Sequence, residues 1–208
     1  MLTALALAGP ALAEPKLIAF GDSLTQGYGL PEDQGLVPQL AAWLAAHGTP
    51  AQVENAGVSG DTSAGGRSRI AWTLAGGGDA IMVELGGNDL LRGLNPEDTS
   101  ANLDAILAAA AAKRLPILLI GLPAPPNYGP DYQRAFDAIF PALAAKYHAL
   151  LVPDYFAPLL AGADRAAALQ AYMQPDGIHP NAAGVRKIVA ALGPEVQKLL
   201  AEIPQPTN

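Results

Sequence analysis

The sequence predicts a three-layer α/β/α sandwich built on a parallel sheet, and two patterns carry that expectation. Five short runs rich in apolar or β-branched residues recur along the 208 residues, and longer amphipathic segments separate them. Regular β-α alternation joins parallel strands through crossover helices, which cover both faces of the sheet.

The strands are expected at residues 16–20, 52–55, 80–85, 117–121 and 150–152. Each is too short for an apolar helix and is flanked by turn-forming residues. Helices are expected at 36–47, 63–74, 99–112 and 131–147. A last helix runs from about 181 to 201, with an interruption at Gly193-Pro194. Asp98, Thr99 and Ser100 offer N-caps for the third helix, and Pro180 suits the first position of the last. The stretch from Leu122 to Pro130 holds four prolines among its nine residues and reads as a stiff surface loop.

Composition narrows the function classes. Half the residues are hydrophobic and 15% are charged, enough for one well-packed core. Residues 14–208 show no linker, repeat or composition break, so they read as one domain. The net charge of −7 and the lack of a basic run argue against nucleic-acid partners. Cysteine is absent, which removes thiol nucleophiles, thiolate metal sites and disulfides. No histidine cluster has metal-ligand spacing. Residues 1–13 pair a short apolar run with Ala11-Leu12-Ala13, a small-x-small cleavage pattern. They are read as the tail of an export signal, giving a periplasmic or secreted protein, or a cytoplasmic one if they are no signal. Neither this segment nor any other has the length for stable membrane insertion. A monomer is expected.

Ligands bind beyond the carboxyl ends of the strands in open α/β sheets. The segments there are Gly21-Asp22-Ser23-Leu24, Gly57-Val58-Ser59-Gly60-Asp61 and Gly86-Gly87-Asn88-Asp89, all glycine-rich and polar. Ser23 directly follows the first strand, where a hydroxyl is free to act as nucleophile or simply to cap a turn. Ser59 stays open as a second candidate. Ser63, Ser68 and Ser100 fall in or at the starts of helices, where capping suffices. His47 and His148 close helices and read as structural. His179 lies in a loop with Asp176 three residues earlier, a spacing that lets a carboxylate orient an imidazole but equally suits a helix cap. Asn88 and Gly60 could each donate to an oxyanion, although glycine loops are ordinary turn chemistry too.

Together these segments resemble the SGNH, or GDSL, hydrolase family. The four blocks are Gly21-Asp22-Ser23-Leu24, the loop at Gly60, Gly86-Gly87-Asn88-Asp89 and Asp176-Gly177-Ile178-His179-Pro180. They occur in the family's order across residues 16–202. Gly27-Tyr28-Gly29, Asp61-Thr62-Ser63-Ala64-Gly65-Gly66 and Glu84-Leu85 ahead of the third block extend the likeness to the bacterial arylesterase, thioesterase I and lysophospholipase L1 group. The resemblance implies a flavodoxin-like five-stranded sheet of order 2-1-3-4-5 and no cofactor. It also implies a Ser23–His179–Asp176 triad with Ser23, Gly60 and Asn88 as oxyanion donors. The expected activity is hydrolysis of small acyl esters: aryl esters, thioesters and lysophospholipids. Leu91, Arg92 and Leu94, just past the third block, are expected to bind substrate, although leucines there could instead tuck into the core. Two rivals are a carbohydrate acetylesterase on the same fold and a non-catalytic flavodoxin-like binding domain.

Overall fold

A computed structural model describes residues 14–161 and 164–204; the export reading of residues 1–13 lies outside them. Five strands form one sheet: β1 (Lys16–Gly21), β2 (Gln52–Gly57), β3 (Ala80–Glu84), β4 (Ile117–Ile120) and β5 (Leu150–Val152). All neighbours are parallel and the order is β2-β1-β3-β4-β5, the expected flavodoxin-like topology.

The central strands are apolar apart from Lys16 at the start of β1 and Glu84 at the end of β3, because helices cover both faces. Leu17, Ala19, Met82, Leu118 and Ile120 face one layer, and Ile18, Phe20, Ile81, Val83 and Leu119 face the other. The first layer holds α2 (Leu36–Ala46), α8 (Ala157–Leu160) and α10 (Ala182–Ala201); the second holds α3 (Ser63–Ala75), α5 (Pro96–Ala112) and α7 (Ile139–Tyr147). Each fully buried leucine or isoleucine contributes about 1.5–3 kcal/mol. Shorter helices are α1 (Ser23–Gln26), α4 (Gly87–Leu91), α6 (Pro130–Asp137) and α9 (Arg165–Tyr172).

Four local expectations need correction. The fourth helix divides at Ala138 into α6 and α7. Pro141 lacks the N–H that Asp137's carbonyl would need in a continuous helix, whereas in the first turn of α7 no helical bond is lost. The last helix, by contrast, runs unbroken through Pro194. Pro194 and Ala190, whose carbonyl loses its donor, both lie on the exposed side, while Leu192, Val196 and Leu199 keep the inner face in the core. Pro180 precedes that helix instead of opening it, because Asn181 takes the cap and accepts from the N–H groups of Ala183 and Gly184. Finally, α5 is capped by Asn95, and Thr99 turns its hydroxyl to Asp89.

Register decides where the site forms. Gly21 pairs with Gly57 on one side and with Glu84 on the other. Three strands therefore end level, and their loops emerge together at one rim.

Candidate active site

Ser23 opens α1 immediately after β1. Asp22 caps that helix by accepting from the Leu24 N–H at 3.0 Å. As the first helical residue, Ser23 keeps an N–H with no partner inside the helix. The chain can turn here because Gly21 has no Cβ; one would lie 2.7 Å from the Glu84 carbonyl.

His179 arrives from the other end of the chain. Its Nε2 lies 2.9 Å from the Ser23 Oγ, and its Nδ1 lies 2.7 Å from the Asp176 Oδ2. Asp176 Oδ1 also accepts from the backbone N–H groups of Ile178 and His179. Burial would raise the Asp176 carboxyl. The bonds from the His179 ring and from those two N–H groups outweigh it, bringing the carboxyl down to about 2. Gln174 holds the loop in place by donating to the carbonyls of Tyr28 and Pro180. The Tyr28 ring lies 4.7 Å from the imidazole.

Asn88 sits in the first turn of α4 and donates from Nδ2 to Asp22 Oδ2 at 3.1 Å. The amide has a second N–H, so it can serve Asp22 and a substrate oxygen together. Gly60 occupies the loop after β2 with φ +80°, a left-handed conformation that strains any side chain. Ser23, Gly60 and Asn88 all line one cleft with His179. The remaining serine candidate, Ser59, is bonded to Gln26 Oε1 at 2.8 Å.

The cleft has a volume of about 810 Å³ and is mostly apolar. Its lining includes Leu90, Leu91, Pro123, Pro125 and Pro126 from the segments after β3 and β4, and Phe156, Leu159 and Leu169 from the segment after β5. Of the three residues expected to bind substrate, Leu91 lines the cleft and Arg92 and Leu94 are not among its lining residues. Arg92 turns its guanidinium to the Gly60 carbonyl at 2.9 Å. Tyr128 and Tyr132 donate to the carbonyls of Leu91 and Leu94, stapling that loop to the proline-rich segment and to α6. His47 stacks on Trp43 at 3.8 Å, and His148 closes α7 in a left-handed conformation, so both stay at helix ends.

Two buried acids lie beneath the serine. Burial pushes the Asp22 carboxyl up to about 6, against the bonds from Leu24 and Asn88 and the facing His179. Burial and the nearby Asp22 hold the Glu84 carboxyl well above its ordinary range. Glu84 accepts from the Thr25 hydroxyl at 3.0 Å. Sequence reasoning missed the parts played by Tyr28, Gln174 and Glu84, and missed the α8–α9 wall. The one available signal was a glutamate ending an otherwise apolar strand.

A five-stranded parallel sandwich with serine, histidine and carboxylate in line at its rim has the layout of a hydrolase. Residues 19–187 match the GDSL-like lipase/acylhydrolase family, and the chain belongs to it. It is 39% identical over 198 residues to esterase TesA of Pseudomonas aeruginosa, covering 95% of each chain. Thioesterase 1/protease 1/lysophospholipase L1 of Escherichia coli is 37% identical over 176 residues, 82% of this chain and 78% of that one. The crystal structure of AlinE4, an SGNH-hydrolase family esterase, superposes with a TM-score of 0.73 at 45% identity, covering 91% of this chain and 98% of the other. The chain is thus an enzyme of the esterase type. No helix among the described residues is long and apolar enough to cross a membrane.

Proposed function

We propose that this enzyme hydrolyses acyl esters of small alcohols, phenols and thiols through an acyl-serine intermediate. The observation that carries the reading is the unbroken line from Ser23 Oγ through both ring nitrogens of His179 to Asp176, at 2.9 and 2.7 Å.

In this mechanism His179 Nε2 takes the Ser23 proton as Oγ attacks the acyl carbon. Asp176 fixes the tautomer and stabilises the imidazolium that forms. The N–H groups of Ser23 and Gly60 and the amide of Asn88 receive the tetrahedral oxyanion. His179 then protonates the leaving oxygen or sulfur. Water, deprotonated by the same nitrogen, attacks the acyl-serine and releases the acid.

The apolar cleft supports an acyl chain over a sugar as the group bound beside the serine, which weighs against the carbohydrate acetylesterase rival. Intact-mass analysis after treatment with a fluorophosphonate tests the nucleophile. One adduct mapped to Ser23, absent in Ser23→Ala together with ester turnover, is the expected result. An unlabelled protein, or a Ser23→Ala variant that keeps substantial activity, would overturn the reading.

A further inference from the structure

Two of the three oxyanion donors proposed above are backbone N–H groups on separate loops, after β1 and after β2. Backbone donors cannot be adjusted by rotamer, so their separation depends on what fixes the loops. A displacement of 1 Å in such a site can cost about 100-fold in rate.

Arg69 of α3 lies where those loops begin. Each of its three nitrogens bonds a different acceptor. Nη2 donates to the Gly21 carbonyl at 2.8 Å, one residue before the Asp22-Ser23 pair. Nη1 donates to the Ala56 carbonyl at 2.9 Å, near the end of β2. Nε meets the Asp61 carboxylate at 2.7 Å, next to Gly60. The guanidinium also lies 4.0 Å over the ring of Phe20, a fully buried β1 residue. The same Gly21 carbonyl accepts the Val58 N–H at 3.0 Å, tying the two loops directly. The side chain is 19% exposed and that of Asp61 is 13% exposed, so water competes little for these bonds. A planar fork with donors in fixed directions suits three such acceptors; a lysine ammonium does not.

We propose that Arg69 is a positioning residue for the oxyanion pocket, setting the distance between the Ser23 and Gly60 N–H groups while touching no substrate. The proposal rests on the functional reading above and complements the Asp22–Asn88 bond, which places the third donor. Arg69 thereby joins the nucleophile loop to the Gly60 loop through one side chain.

The test is steady-state kinetics on Arg69→Met with p-nitrophenyl butyrate, with active sites titrated by fluorophosphonate and folding followed by circular dichroism. We expect kcat per titrated site to fall about 10- to 100-fold, with KM within about threefold, because only transition-state contacts are lost. A merely structural role would lower Tm and leave kcat of the folded molecules intact. Asp61→Asn loosens one of the three ties and carries the same test, with a smaller fall, should Arg69→Met not fold. A kcat within twofold of wild type, or a rise in KM alone, would overturn the proposal. Wild-type protein that fails to label at Ser23 would remove the functional reading and this inference together; labelling with undiminished kcat in the variant removes only the inference.

Discussion

Asn88 reaches across from the first turn of α4 to donate to Asp22 at 3.1 Å, and Asp22 is 2% exposed. The residue preceding the serine therefore orients the proposed side-chain oxyanion donor, one buried acceptor setting the rotamer of one amide. Asn88→Ala is expected to lower kcat about 10²–10³-fold with little change in KM. Asp22→Ala should lose a large part of the same factor, and the double variant should be hardly worse than Asn88→Ala alone. Such non-additivity marks residues acting as one unit. A double-mutant cycle in kcat with additive losses would show that Asp22 acts elsewhere, for instance only as the cap of α1.

Glu84 provides a pH-dependent prediction for stability. Its neutral form is favoured in the fold, so its contribution is complete below about its ordinary 4.5 and is lost as pH rises toward its raised value. Over that window the cost grows by about 1.4 kcal/mol per pH unit. Glu84→Gln keeps the shape and cannot ionise. Urea unfolding of both proteins from pH 4 to 9 should show the variant gaining on wild type as pH rises. A constant difference would mean that Glu84 titrates normally.

How much of this was legible in the sequence depended on whether a residue's role is local. The strands followed from their apolar runs, and the rim of the candidate site followed from glycine-rich loops at three strand ends. Placement and spacing alone left Ser23, His179 and Asp176 open as turn or cap residues, and it was the resemblance of the four blocks to a family that set them apart from residues such as His47, which closes a helix. A charge in a loop says nothing of its direction, and Arg92 here points to the Gly60 carbonyl. Arg69 and Gln174 were hard to see because most of their acceptors are backbone carbonyls, such as those of Gly21 and Tyr28 in distant segments, which carry no side-chain signature.

The line through His179 depends on Asp176 staying ionised. With its carboxyl brought down to about 2 by the bonds from the His179 ring and the His179 and Ile178 backbone, it stays a carboxylate across any ordinary assay range. Asp176→Asn should lower kcat about 10²–10⁴-fold by allowing the wrong tautomer. For stability the sign is opposite to that of Glu84. The depressed carboxyl stabilises the fold above its ordinary 3.8, and that contribution disappears as pH falls toward 2. Thermal unfolding of wild type and Asp176→Asn should converge over that interval. Curves that stay parallel would remove the coupling.

Arg92 makes a single exposed bond to Gly60, which limits its worth to about 0.5–1.5 kcal/mol. Arg92→Ala should leave KM equal for neutral and anionic esters, since the guanidinium is not among the groups lining the cleft. A selective rise in KM for anionic esters would return Arg92 to the substrate.

The apolar cleft makes the strongest claim about substrate. Each methylene transferred from water to a fully apolar wall contributes about 0.8 kcal/mol, close to fourfold in kcat/KM. This cleft is open to solvent along its mouth, with Leu91 56% and Leu169 39% exposed, so about twofold per methylene is the reasonable expectation. Measuring kcat/KM for p-nitrophenyl esters from acetate to decanoate should give a rise that levels off where the chain outgrows the walls. Leu91 of α4 and Leu169 of α9 both line the cleft, so Leu91→Ala and Leu169→Ala test which of them meets the acyl chain. A residue that holds the acyl chain should flatten the series when truncated, and one that does not should lower every member equally. If wild-type kcat/KM is indifferent to chain length, the cleft does not bind the acyl group, whatever its lining.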